Sequence, residues 1–221
     1  MSDVFQEVDE ALRRQQIDKT VRRYGPWVGT LAAVLIAGVA GYTLWQNYQE
    51  GRLGAAGDEL VAGMELSLAG QNMEAADVFA ALAADAPEGY RLLALFQEAA
   101  ARRLAGDSDR AVLLYDQIAA NAGTPPDYRD LGRLFSGLVA IDSGTVRYSE
   151  IEMRLAPVAT GTSPWRYHAL EALGFAAYSA GRYELALSHY RQITDDVSAP
   201  VGVASRAAEM LNFTESTASA E

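Results

Sequence analysis

The chain has 221 residues, with 29 acidic and 18 basic side chains and a formal net charge of -11. That balance disfavours a general nucleic-acid binder, which needs basic surface. The absence of cysteine excludes disulfides, thiolate metal sites and cysteine nucleophiles.

Residues 1–24 are charged, and Val4, Val8 and Leu12, with Phe5, fall at helical spacing. Gly25-Pro26 then opens an uncharged run, WVGTLAAVLIAGVAGYTLW, from Trp27 to Trp45. Pro26 suits a first helical turn, where its missing N–H costs nothing. A helix of this length covers roughly 28 Å, close to a hydrocarbon core of about 30 Å. Trp27 stands at one end, and Tyr42, Trp45 and Tyr48 at the other, as aromatic side chains do at membrane interfaces.

Five basic residues precede the run: Arg13, Arg14, Lys19, Arg22 and Arg23. Arg52 alone follows within fifteen residues. The positive-inside tendency then predicts a cytoplasmic N-terminus and an exported remainder. Two rivals are a cleaved signal peptide, for which the 26-residue leader is long and the apolar run too extended, and a buried helix of a globular core. Gly29, Ala33, Ala37 and Gly41 recur every four residues, a ridge of the kind that lets membrane helices pack closely.

From Gly57 onward the apolar residues follow helical periods. Four small turns carry Gly70, Gly106, Gly144 and Gly181, at intervals of 36, 38 and 37 residues. A period in the thirties predicts a solenoid of helical hairpins. Five residues after each glycine come Ala75, Ala111, Ser149 and Ala186; nine after, Phe79, Tyr115, Met153 and Tyr190; twelve after, Leu82, Ile118, Ala156 and Ile193. Small, large and apolar at those offsets make a core stripe on the second helix of each pair. PEG (87–89), AGTPPD (122–127), GTSP (161–164) and SAP (198–200) separate the hairpins with residues that end helices. VGVASRAAEMLNF predicts a closing helix, and the tail after Phe213 is expected to be disordered.

This pattern resembles the tetratricopeptide repeat. The last repeat carries Leu173-Gly174, Tyr178, Gly181, Tyr183, Ala186, Tyr190 and Ile193; the first carries Gly63, Gly70, Ala75, Phe79 and Pro87; the second has Ala99 at the small first-helix position. The third, from YRDLGRLFSGLVAIDSG to YSEIEMRLAPVA, is degenerate. The wider layout, with RRYGPWVG before the run, YTLWQNY after it and repeats behind, resembles the YfgM-like ancillary subunits of the Sec translocon in their alphaproteobacterial form. That resemblance implies a single-pass inner-membrane protein associated with the SecYEG channel and with a periplasmic foldase or chaperone of the PpiD type.

The expected organisation is therefore all-α: a cytoplasmic segment 1–26, a transmembrane helix 27–45 in the lipid bilayer, a periplasmic repeat domain 46–213 and a tail 214–221. No catalytic set is recognisable. His168 and His189 have no third donor, and the acidic pairs lack calcium-loop spacing. Ser136 and Ser188 read as surface hydroxyls. The chain is expected to be no enzyme and to hold no cofactor or metal. Binding is left to the concave face built by the first helix of each pair. Arg91, Gln97, Arg129, Arg133, Arg166 and Tyr167 are its candidate contacts. The leading expectation is a membrane-anchored periplasmic scaffold or chaperone helper that binds the translocon or unfolded exported polypeptides. The alternative is an envelope assembly or division scaffold that binds another protein through its repeat groove.

Overall fold

The structure, a computed structural model, describes the backbone of residues 3–144 and 147–219, and the side chains of residue 27, residues 34–144 and residues 147–219. The chain forms two compact units, Met1–Gly54 and Ala55–Glu221. Among the described residues all regular structure is helical. Helix α1 (Asp3–Leu68) supplies the first unit and, from Ala55, the opening helix of the second.

The expected transmembrane helix 27–45 is not sustained. Among the described residues, no helix is long and apolar enough to cross a membrane. A span needs about 20 residues of sustained apolar character, and Gly38, Gly41 and Thr43 thin the apolar content of this run. The single-pass topology, the sidedness of the termini and the bilayer contact fall with the span. Of the small-residue ridge, Ala37 and Gly41 lie on α1 with open space beside Gly41; the surroundings of Gly29 and Ala33 lie outside the described side chains.

The second unit continues with α2 (Asn72–Asp85), α3 (Glu88–Leu104), α4 (Ser108–Ala120), α5 (Pro126–Ser143), α6 (Tyr148–Ala159), α7 (Arg166–Ser179), α8 (Tyr183–Thr194) and α9 (Val201–Ala218). From α2 onward each helix packs mainly on its neighbours in sequence, the contact pattern of a solenoid. Gly70, Gly106, Gly144 and Gly181 all have positive φ, between 65° and 88°, where a side chain would be strained. In the last hairpin the amide of Gly181 donates to Tyr178 O and that of Arg182 to Ala177 O, both at 2.9 Å. This paired closure caps α7 and reverses the chain into α8. Prolines 87, 125 and 200 stand immediately before α3, α5 and α9.

Inside each hairpin a small residue of the first helix receives a large side chain of the second. Phe79 lies against Gly63 and Tyr190 against Gly174, and Ala99 and Tyr115 share one buried cluster. The stripe expected at offsets 5, 9 and 12 holds in three hairpins, where all nine residues are buried. The third hairpin differs. Met153 is 75% exposed, and Ile151, Leu155 and Val158 are the buried residues, two places later than the regular offsets. The linker between Gly144 and α6 is longer than in the other hairpins, so the same helix face is reached two residues further on. Leu155 then fills the space over Gly137.

The shift brings Arg154 to a polar bridge between hairpins. Ser136, expected at the surface, is fully buried. Its hydroxyl donates to Asp116 Oδ1 at 2.5 Å and accepts from Arg154 Nε at 3.1 Å. The bridge ties α4, α5 and α6 with the buried hydroxyl satisfied on both sides. Between α6 and α8, Tyr148 Oη and His189 Nε2 lie 3.2 Å apart, and His189 Nδ1 is buried without a partner. At the C-terminus, α9 runs past Phe213 into the tail expected to be disordered. Buried Thr214 donates its hydroxyl to Met210 O at 2.6 Å and anchors that turn.

Three outcomes test this packing. A Cβ at Gly174 would sit 2.6 Å from the Tyr190 ring, so Gly174→Ala should lower unfolding free energy by about 1–3 kcal/mol in urea titration. Leu155→Ala should cost about 2–5 kcal/mol, whereas Met153→Ala should stay within about 0.5 kcal/mol; equal costs would disprove the shifted register. Burial lowers the His189 pKa from its ordinary 6.5. The unfolded chain therefore takes up this proton first on acidification, and the group's contribution is lost as pH falls below that value. Between about pH 7.5 and about pH 5.5, the melting temperature should fall more in the native protein than in His189→Gln.

Candidate functional site

Each first helix has one face committed to its partner and another left over. An α-helix advances about 100° per residue. Taking the small packing residue as the origin, the positions six and two before it and one and five after it fall within an arc of about 60°. That arc faces away from the partner helix. In α3, with Ala99 as origin, it holds Leu93, Gln97, Ala100 and Leu104. In α5, with Gly137, it holds Leu131, Phe135, Leu138 and Asp142. In α7, with Gly174, it holds His168, Ala172, Phe175 and Ser179.

All of these but Leu104 and Ser179 line two joined clefts. One, of about 630 Å³, lies between α3 and α5 and includes Leu93, Phe96, Gln97 and Tyr128. The other, of about 650 Å³, lies between α5, α7 and α9 and includes Trp165, Phe175 and Met210. Leu131, Phe135, Leu138 and Asp142 belong to both, so the clefts form one strip crossing the stacked helices. Phe96 meets Phe135 edge to face at 6.1 Å, and Tyr115 lies 5.4 Å from Phe135 below them. Such contacts hold the cleft wall rigid. The strip is exposed as well as apolar: Leu93 is 43% exposed, Leu138 37% and Phe175 47%.

Charge sits at the rim. Arg206 on α9 grips Glu171 on α7 with two bonds, Nε to Oε1 at 2.6 Å and Nη2 to Oε2 at 2.8 Å. That bond raises the arginine pKa further. Asp142 and Glu209 also line the second cleft. Asp142 has Arg103 only at 3.9 Å, both side chains well exposed. At the floor, burial pushes the Tyr190 phenol up, and its hydroxyl has no partner; burial also raises Tyr115, to about 12. Both phenols stay neutral, so the floor adds no charge.

The expected contact residues separate into different places. Gln97 lines the α3/α5 cleft. Arg91 borders an adjoining cleft of about 610 Å³ at the start of α3 and donates Nη2 to Ala86 O at 3.3 Å. Arg133 pairs with Asp130 at 2.8 Å on its own helix, and Arg129 is half-buried with its Nε unpartnered. Arg166 Nη1 and Tyr167 Oη both reach Asp196 Oδ2, at 3.3 and 2.8 Å. A Ser198 amide bond, then the Tyr167 hydroxyl, hold the Asp196 carboxyl below its usual range. This cluster fastens α7 to the α8–α9 loop. The five residues other than Gln97 lie outside the 60° arc, at four, seven or eight places before the origin. The strip itself is built by apolar residues, which residue type alone does not single out. Helix-wheel position relative to the small residue was the signal that locates them.

Among the described residues, no group of three or more His, Asp or Glu side chains could hold a metal ion. His168 instead meets Trp165 edge to face at 6.1 Å. No similar sequence is found among curated proteins. One solved structure with this fold is that of the nearly identical TPR-like repeats of a Podosopora anserina protein assigned as a kinesin light chain. It superposes with a TM-score of 0.57 at 16% identity, over 74% of this chain and 86% of that one. At that identity the likeness is one of fold. A family profile described as tetratricopeptide repeat-like domain matches residues 21–142. It is a scaffold type not associated with catalysis. With that match and the hairpins described above, the chain belongs to the tetratricopeptide repeat-like domain family.

Proposed function

We propose that the protein is an interaction scaffold that binds another protein along the strip crossing α3, α5, α7 and α9. The observation that carries this reading is the pair of joined apolar clefts whose large side chains, Leu93, Leu138 and Phe175, remain open to solvent. Contiguous exposed apolar surface with a charged rim is the usual mark of a protein-binding site. The family match supports the same reading.

The leading expectation from the sequence is corrected. The described residues contain no membrane-crossing helix. The clefts present apolar and aromatic surface with nothing particular to a translocon. SecYEG, a PpiD-type foldase and exported polypeptides are therefore not retained as partners, nor is an inner-membrane location. The narrower likeness to YfgM-like chains stands as a likeness of layout, in RRYGPWVG, YTLWQNY and the order of repeats. The retained reading is the second one, a scaffold binding another protein through its groove, without a compartment attached.

A photo-crosslinking residue in the full chain tests it in the cells that make it. Placed at Phe175, it should give a discrete adduct that Leu138→Glu abolishes. Placed at Met153, outside the clefts, it should give none. Adducts of equal yield at both places, or an adduct indifferent to Leu138→Glu, would sink this reading.

A further inference from the structure

The dimensions of the strip restrict what can lie in it. The α3/α5 cleft and the α5/α7/α9 cleft lie on either side of α5, with Leu138 and Phe135 on the ridge between them. A helix with its side chains is about 10 Å across, and that sets the separation of the two clefts. An occupant that fills both must present large apolar side chains at that spacing and on one side. In an α-helix, residues seven apart are about 10.5 Å apart and lie on the same face. Residues three and four apart then fall over the ridge. In an extended chain a separation of about 10 Å corresponds to three residues, and those point to opposite faces. An extended segment therefore fills one cleft and misses the other.

The rim selects the charge of that helix. Arg206 is held in the bidentate pair with Glu171, which leaves little of its charge for a partner. Asp142 and Glu209 line the same cleft; Asp142 has Arg103, on the wall of the α3/α5 cleft, only at the outer limit of an ion pair, and Glu209 shares with Glu171 the field of the single Arg206, so carboxylates outnumber cations around the second cleft. The chain as a whole carries a charge of -11, so its field favours approach of a cation.

Resting on the scaffold reading above, we propose that the strip takes a basic amphipathic helix, with apolar side chains seven residues apart entering the two clefts and lysines or arginines facing Asp142 and Glu209. At the end of α1 the same arc around Gly63 carries Val61, Met64 and Leu68, at 53%, 42% and 88% exposure.

The test uses the full chain and three fluorescent peptides of about 20 residues, a length that reaches about 30 Å as a helix. The first carries leucines at helical spacing on a lysine–alanine background. The second replaces its lysines by glutamates. The third has the composition of the first, reordered so that leucines alternate with other residues. Because the first and third have equal charge, attraction by net charge alone cannot separate them. By anisotropy, the first should bind about tenfold or more tighter than the glutamate peptide, since two exposed charge pairs changed from attraction to repulsion amount to about that factor, and about tenfold tighter than the alternating peptide, which as a helix cannot gather its leucines on one face. Leu138→Glu should weaken it about tenfold. The double variant Asp142→Lys, Glu209→Lys should reverse the preference between lysine and glutamate helices.

Tightest binding of the alternating or the glutamate peptide overturns the proposal, as does binding of none. Self-association of the chain that Leu138→Glu abolishes also overturns it, by identifying a second copy as occupant. Circular dichroism of each variant verifies that it is folded. If the peptides fail while the Phe175 crosslink still depends on Leu138, the partner class alone is wrong; if both fail, the scaffold reading goes with it.

Discussion

The close approach of paired helices, set by one small residue against one large one, is the constraint from which the rest of the second unit follows. Gly63 beneath Phe79, Ala99 with Tyr115, Gly137 beneath Leu155 and Gly174 beneath Tyr190 are four versions of one contact. Where the origin is glycine, the large side chain occupies the volume that a Cβ would take. Such packing is stiff because interiors have little free volume to absorb a mismatch. It fixes the rotation of each first helix about its own axis. That rotation decides which residues the helix turns towards its neighbours and which towards water.

The third hairpin shows how this constraint overrides a regular sequence spacing. Its linker is longer, yet its second helix still delivers a large apolar side chain to Gly137, at the cost of moving the whole stripe by two residues. Met153 is released to solvent and Leu155 taken in. The same shift puts Arg154 beside Ser136 and Asp116. A buried hydroxyl that would be costly alone is thereby satisfied. Gly132 serves the other interface of the same helix: its Cα stands where a Cβ would come within 3.0 Å of the Tyr115 carbonyl on α4. Helix α5 is thus packed closely on both its preceding and its following neighbour, and it is the helix shared by both clefts.

The groove is a by-product of that packing turned to use. Once the small residue is engaged, part of the arc on the far side packs on neighbouring helices, as Phe135 and Ala172 do, and the rest, with Leu93, Leu138 and Phe175, stays open to solvent. In many helices such an arc would be polar. Here it carries leucine and phenylalanine on α3, α5 and α7, with polar groups confined to Gln97, Asp142, His168 and Ser179. The arginines picked out by type, Arg129, Arg133 and Arg166, are used for local ion pairing or half-buried against neighbouring turns. The carboxylates Asp142 and Glu209 supply the rim instead.

The sequence by itself determined the helical hairpins, their four glycine turns and the core stripe of three repeats. These depend on local backbone conformation and on spacing along one helix, both of which are written in consecutive residues. It also contained the groove face, readable by counting from each small residue though not from residue type. The tertiary structure alone decided the two-residue shift of the third hairpin, because linker length does not state where a second helix comes to rest. It alone brought Ser136, Asp116 and Arg154 together from three helices, and gripped Glu171 with Arg206 from α9. The long apolar run was the misleading signal. Its uncharged stretch and flanking arginines matched a membrane anchor, but spanning a bilayer demands continuous apolar length, and the described helices do not supply it.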